Sequence, residues 1–346
     1  MPAIAVDAMG GDYAPRVVID GIGEWLDRHP GGVTLFVVGD EAQVRAELQR
    51  IGKLDDPRLT IVHAPEVIRM DDAPAAAVRA KRRSSINVAV DLVKQGQAQA
   101  FFSAGNTGAC VASTVLKWRV LPGISRPGIA TAFPSPEGSF VLLDAGSTVD
   151  CDPLNLVHYA VMGDVYCRHI LRKSNPRVGL LNVGGEDVKG NDLAKESFKL
   201  LSGIKSLNFI GNVEGHDLFS GRVDVVVCDG FVGNVVLKTC ESLAHAISKV
   251  LKTNLSKNLM RKAGYLLSKG AYTELKQMVD CAEFGGAPLL GVDGVCIIGH
   301  GSSCSRAVRN GIRVAEEFVQ HQVNERITEQ VKAAGLAPAP VSAASA

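Results

Sequence analysis

Short apolar, β-branched runs alternate along this chain with longer stretches in which apolar residues recur every three or four positions. The first pattern is that of strands buried inside a parallel sheet; the second is that of helices lying on its faces. Strands are predicted at 4–7, 33–39, 59–63, 98–102, 177–182, 207–210 and 223–228, most of them leading into a helical stretch. The pairs 129–133 with 140–143 and 287–291 with 295–298 are joined by links too short for a crossover, so each predicts an antiparallel hairpin. A long helix is expected from Pro153 to about Leu171, and a last one unbroken from Ser305 to Val331. The alternation predicts an α/β fold: a doubly wound, mostly parallel sheet with helices on both faces and an inserted antiparallel hairpin. No linker composition interrupts it. One domain is expected over 1–332, with a helical protrusion at about 252–280 and a disordered Ala/Pro/Ser-rich tail at 333–346.

The stretch from Asp224 to Lys238 concentrates the chemistry of this pattern. It reads as a buried strand (Val223–Cys228), a turn at Asp229-Gly230, and a helix beginning near Gly233-Asn234 with Lys238 one turn on. Helix-start N–H groups and a lysine at the carboxyl end of a strand favour an anion. The same polar, glycine-containing composition recurs at Asp7–Asp12, Ser103–Gly108, Asp144–Asp150, Asn182–Gly190, Gly211–Asp217 and Gly299–Ser303. Strands running in one direction bring such ends together along one edge of a sheet.

Composition narrows the classes. The chain has 346 residues, 46% hydrophobic and 21% charged, as in globular proteins generally. A net charge of +1 and 5% aromatic residues give no electrostatic or stacking basis for nucleic-acid binding. Eight scattered cysteines without a C-x-x-C pair fit reduced, buried thiols better than disulfides or a zinc site. The chain opens directly on a strand and has no membrane-length apolar run, so a cytoplasmic protein is expected.

Neither the P-loop pattern, nor G-x-G-x-x-G, nor G-x-S-x-G is present. The glycines, Ser, Thr and Asn donors and lysines therefore suit a small phosphorylated or phosphate-like ligand without naming a reaction. Asp7 and Asp229 fit either pocket carboxylates or caps of helix starts. His300 fits either a proton donor or a loop histidine, and Cys228 and Cys304 are read as packing residues.

Taken in order, Val6–Pro15, Ser103–Ala109, Asn182–Gly190, Asn208–Gly215, Asp229–Lys238, Gly286–Val292 and Gly299–Ser303 resemble the motifs of the bacterial phosphate acyltransferases of phospholipid synthesis. The resemblance spans nearly the whole chain except its tail. Two departures stand out: Gly146-Ser147-Thr148 replaces the family's usual Gly-Ala-Asn, and His216 replaces a basic residue. The resemblance implies a phosphotransacetylase-like fold and transfer of a long acyl group from acyl carrier protein to inorganic phosphate. It also implies a homodimer, no cofactor, no tightly bound metal, and contact with the inner face of the cell membrane and with the acyltransferase that uses the product. Lys189 would bind phosphate, Asn234 would orient phosphate or the thioester carbonyl, and His300 would protonate the departing thiolate. Asp7, Gly10, Gly11, Asp12, Ser103, Asn106, Thr107, Asp144, Glu186, Asn212, Asp229, Lys238 and Ser302 would shape and line the pocket. A decarboxylating dehydrogenase of related architecture and a non-enzymatic membrane-surface scaffold for lipid enzymes are the alternative readings.

One further stretch carries surface chemistry. Between Lys252 and Lys269, Leu255, Leu259, Leu266 and Leu267 are interleaved with Lys257, Arg261, Lys262 and Lys269. Helical spacing gathers the leucines near one stripe with basic groups beside it, a pattern that suits an anionic membrane surface or helix packing in a dimer. Lys81–Arg83 and Arg261–Lys262 are candidate docking points for an acidic carrier protein.

Overall fold

The computed structural model describes residues 2–29, 31–270, 272 and 283–336. The part of the expected helical protrusion beyond 272 and the tail beyond 336 lie outside the described residues. The predicted parallel β/α alternation is present, divided between two sheets.

The first sheet contains β1 (Ala3–Asp7), β2 (Thr34–Gly39), β3 (Leu59–His63), β4 (Ala100–Ser103) and β5 (Gly128–Ile129), with β11 (Ala287–Leu290) and β12 (Val295–Ile298) from late in the chain. Its order is β3-β2-β1-β4-β12-β11-β5. From β3 to β12 the pairing is parallel, so Asp7, Ser103 and Gly299 lie at one edge. All five residues of β1 are buried, as the two-sided apolar run requires. Ile4 and Val6 pack with Val308 and Ile312 of the helix Ser305–Gln320, while Ala3 and Ala5 pack with Ile86 and Val90 of the helix Ser85–Lys94.

The second sheet contains β6 (Thr131–Ser135), β7 (Gly138–Leu143), β8 (Arg177–Leu181), β9 (Asn208–Val213) and β10 (Val225–Val227) in the order β6-β7-β10-β8-β9. β6 and β7 form the expected antiparallel hairpin, and β7, β10, β8 and β9 run parallel. The helix Pro153–His169 covers one face. It lies so close that a Cβ on Gly163 would come within 2.5 Å of Val225 Cγ1. The other face, with Phe140, Leu142 and Val226, is partly covered by Val236, Leu237 and Cys240.

Two boundaries differ from expectation. The last helix breaks at His321-Gln322, where Gln322 turns left-handed (φ 50°) and a second helix, Val323–Ala333, buries Val323, Ile327 and Val331. A continuous 3.6-residue pattern does not register such a change of direction, because apolar residues resume on the same spacing. The helix after β10 begins at Gly230, runs to Leu255, and buries just Gly230 and Gly233. Asn234 is therefore inside the helix rather than at its start.

At the opposite end of β10, Asp224 fastens three strands. Its carboxylate accepts from Lys173 Nζ (2.6 Å), Arg177 N (2.8 Å) and Arg177 Nε (2.9 Å), and Val141 N donates to its carbonyl. Burial pushes this carboxyl up, but the Arg177 and Lys173 hydrogen bonds outweigh it and hold it at about 2. A carboxyl depressed in the folded state stabilises the fold above its ordinary value of 3.8, and that stabilisation is lost as pH falls through about 2. We expect unfolding free energies measured from pH 5 to pH 2 to drop by about 2 kcal/mol through this group, and Asp224→Asn to remove that part of the acid dependence while lowering stability at neutral pH.

Candidate active site

Three neighbouring strand ends of the second sheet open at one edge: Asp144–Thr148 after β7, Asp229–Asn234 after β10, and Asn182–Gly190 after β8. Asp144 organises the first. Its buried carboxylate accepts from the backbone N–H groups of Ile129 (2.8 Å), Gly146 (3.1 Å), Ser147 (2.9 Å) and Thr148 (2.7 Å). Burial pushes the Asp144 carboxyl up, and these donors pull it back. The Ile129 contact ties the turn to the first sheet, since Ile129 is the last residue of β5.

The helix Gly230–Leu255 starts directly on this turn. Gly230 N donates to Thr148 O (2.9 Å), and a Cβ on Gly233 would stand 1.8 Å from Asp144 O, a contact that no larger residue tolerates. Asp229 caps the helix by accepting from Val232 N (2.9 Å). Two of the helix-start N–H groups, those of Gly230 and Val232, are thus taken up within the protein. Asn234 lies beside Gly146, whose added Cβ would be 3.3 Å from Asn234 Cβ. Asn234 and Lys189 are both exposed.

Around Lys189 the backbone is held from below. Lys189 N donates to Glu186 O (3.1 Å), Asn182 Nδ2 donates to Lys189 O (3.1 Å), and buried Asn212 donates to Glu186 O (2.9 Å). The Asn212 Oδ1 atom is buried with no hydrogen-bond partner. Glu186 is exposed, and its Oε2 would be 2.9 Å from a Cβ added to Gly184. Asn212 therefore supports the loop that carries Lys189.

The first sheet contributes a second group of predicted residues. Buried Asp7 accepts from Ser103 Oγ (2.7 Å) and Met9 N (3.0 Å); burial pushes its carboxyl up, with Ser103 pulling against that. Gly10 fits against Asp7, Ser103 and the Gly105 backbone, where a Cβ would meet atoms at 2.6–2.8 Å. Gly11 has φ 105° and lies against Gly301 O, which also accepts from Asp12 N (2.8 Å). Asn106 caps the helix Thr107–Trp118 and donates to the carbonyls of Arg69, Met70 and Asp72, so its side chain is spent on structure, while Thr107 is exposed.

A chain of side chains on the helix Gly230–Leu255 reaches from one sheet edge to the other. Lys238 Nζ pairs with Glu241 Oε2 (2.8 Å), Glu241 Oε1 lies 3.9 Å from His300 Nε2, and His300 Nδ1 is 2.8 Å from Ser302 Oγ. Glu241 belongs to none of the motifs read from the sequence. Its signal was its spacing: it lies seven residues after Asn234, on the same helix face. Burial pushes the Cys110 thiol up to about 12 and the Cys228 thiol well above its ordinary value, so neither of these two is poised as a nucleophile.

Residues 3–326 match the family described as fatty acid synthesis protein. The chain is 49% identical over 335 residues to a phosphate acyltransferase of Geotalea uraniireducens, covering 95% of this chain and 94% of that one. It is 48% identical over 331 residues to a phosphate acyltransferase of Pelotomaculum thermopropionicum, covering 95% of each. This chain belongs to the phosphate acyltransferase family. In fold it is similar to a phosphotransacetylase from Streptococcus pyogenes (TM-score 0.61, 16% identity, 94% of each chain). It is also similar to a branched-chain phosphotransacylase from Enterococcus faecalis (TM-score 0.56, 16% identity, 92% of this chain and 100% of that one).

The two departures of this chain from the usual family motifs fall in different surroundings. Thr148 Oγ1 donates to Pro127 O (3.3 Å), so its hydroxyl serves the backbone, whereas the Ser147 hydroxyl is buried without a partner in the Asp144 turn. His216 is exposed, with Nε2 3.7 Å from Asp217. Because both Asp144 oxygens accept from N–H groups, an amide in its place would direct an NH2 at donors whichever way it turned. Asp144→Asn is expected to lower unfolding stability by about 1–3 kcal/mol, read from denaturant midpoints.

Proposed function

We propose that this chain transfers a long acyl group from acyl carrier protein to inorganic phosphate, giving an acyl phosphate for phospholipid synthesis. The single observation that supports this most is the shared edge of β7, β10 and β8. It sets the Asp144 turn, the Asn234 helix and the Lys189 loop on adjacent parallel strands. Phosphate is a competent nucleophile at neutral pH, so the site has to position it, offset its charge and stabilise an oxyanion rather than supply a nucleophile of its own. Lys189 binds the phosphate. The Asn234 amide donates to phosphate or to the thioester oxygen as negative charge collects there. A phosphate oxygen bonds to the carbonyl carbon, the C–S bond breaks, and the electron pair leaves with sulfur. Asp144 and Asp7 act behind the pocket surface by shaping its turns.

Incubation with acyl carrier protein bearing a long acyl chain and with phosphate tests this reading through acyl phosphate formation. Lys189→Ala is expected to lower turnover by about 10²-fold or more without loss of stability, because the side chain is exposed. Turnover at the wild-type rate would remove Lys189 from the mechanism.

The same reading includes a homodimer and contact with a membrane. Val232, Leu243, Ile247 and Val250 form an exposed apolar stripe on the helix Gly230–Leu255, on the side away from Asn234 and Glu241, and this suits a second copy of the chain. On the helix Leu259–Leu267, Leu259 is 84%, Leu266 74% and Leu267 91% exposed, with Lys262 beside the Leu259–Leu266 stripe and Arg261 on the opposite side. Leu255 ends the preceding helix, so the leucines at 255 and 259 stand on two helices separated by the Asn258 cap. No helix among the described residues is long and apolar enough to cross a membrane, and surface contact through the short helix is the mode that fits. Of the two basic clusters suggested for carrier docking, Lys81 is tied to Asp72 and Val67 O, which leaves Arg82 and Arg83 exposed. Leu259→Glu with Leu266→Glu is expected to release the protein from vesicles containing phosphatidylglycerol, measured by co-sedimentation, with turnover of soluble substrate retained. Undiminished sedimentation would sink the membrane reading.

A further inference from the structure

His300 Nδ1 receives the Ser302 backbone N–H at 3.3 Å. A backbone N–H can only donate, so in neutral His300 the Nδ1 atom carries a lone pair and the ring proton sits on Nε2. That proton faces Glu241 Oε1 at 3.9 Å, an ion-pair separation, and Ser302 Oγ lies 2.8 Å from Nδ1 on the other side of the ring. Glu241 is held in turn by Lys238 at 2.8 Å. The imidazole is therefore flanked by a carboxylate and a hydroxyl, and it is open to solvent.

Asn234, Lys238 and Glu241 occur at i, i+4 and i+7, so one helix face carries all three. Its near end abuts Gly146 of the Asp144 turn, and its far end meets His300. The proposed carbonyl-orienting amide and the anchor of the His300 ring are thus fixed to the same rigid element. Acyl transfer from a thioester creates an alkyl thiolate, which needs a proton as the C–S bond breaks.

Resting on the acyl-transfer reading above, we propose that Ser302 is the residue that hands the proton to the departing thiolate, with His300 behind it and Glu241 as the positioning residue. On protonation Nδ1 gives up the long contact from Ser302 N, and protonated His300 donates from Nδ1 to Ser302 Oγ while the Ser302 hydroxyl proton passes to sulfur. The serine hydroxyl is restored, the thiol leaves neutral, and the imidazole is left with its Nε2 proton facing Glu241. Solvent then reprotonates Nδ1. Glu241 holds the ring with Nδ1 toward Ser302; Lys238 keeps the carboxylate in place.

The test is leaving-group dependence. With long-chain acyl carrier protein and phosphate, Ser302→Ala is expected to lower kcat by about 10²-fold with KM within about twofold, Ser302→Thr to recover to within about threefold of wild type, and Glu241→Gln to lose about 10-fold. With the same acyl chain on para-nitrothiophenol, whose thiolate departs without a proton, the losses for Ser302→Ala and Glu241→Gln are expected to shrink below about threefold. Equal losses on both thioesters, or full activity of Ser302→Ala on the carrier thioester, overturns the relay. Wild-type protein that forms no acyl phosphate from the carrier thioester overturns the acyl-transfer reading itself.

Discussion

Asp144 lies where the two sheets meet, and its carboxylate accepts from four backbone N–H groups, three of them in its own turn and one from the last residue of β5. Without that acceptor the turn would expose several buried donors at once, a cost of the order of kilocalories per group. With it, the turn presents Asp144 O as a floor on which the first turn of the helix Gly230–Leu255 rests at Gly233. The position of Asn234, and of everything further along that helix face, follows from this contact. The first sheet repeats the device at Asp7, where a buried carboxylate binds Ser103 and the Met9 backbone and Gly10 closes over it.

A division of labour follows. Three of the acids that read from the sequence as pocket groups, Asp7, Asp144 and Asp229, are buried or serve as caps and shape backbone, while Asp12 and Glu186 stay exposed. Among the groups left exposed, Lys189, Asn234, His300 and Ser302 can bind an anion, donate to an oxyanion and move a proton. Neutralising the attacking phosphate and the departing sulfur is what the chemistry demands, and buried carboxylates facing phosphate would oppose it.

The helix Gly230–Leu255 has three different tasks on three stretches of its surface. Its first turn locks onto the Asp144 backbone, its polar face runs from Asn234 to Glu241, and its outer face exposes Leu243, Ile247 and Val250. A helix of 26 residues with two buried positions gains little of its stability from the core it leaves. The second copy proposed for the outer face would supply what the core does not.

Strand and hairpin positions were legible in the chain because β-branched runs and short turns act locally. The motifs from Val6 to Ser303 carried the family, and Lys189, Asn234 and His300 stood out from them. Several things were decided only by tertiary structure. The strands divide between two sheets because Gly128–Ile129 pairs with β11 while Thr131–Ser135 turns to β7, and a hydrophobic pattern does not encode that choice of partner. Gln322 bends the last helix through a backbone conformation invisible to spacing. Asn106 reads as a ligand residue until its amide is found on three carbonyls some 34–37 positions away in the chain. Glu241 carried no motif at all; it gains meaning from His300, 59 positions later, because charge interactions depend on distance in space, and the fold alone sets that distance.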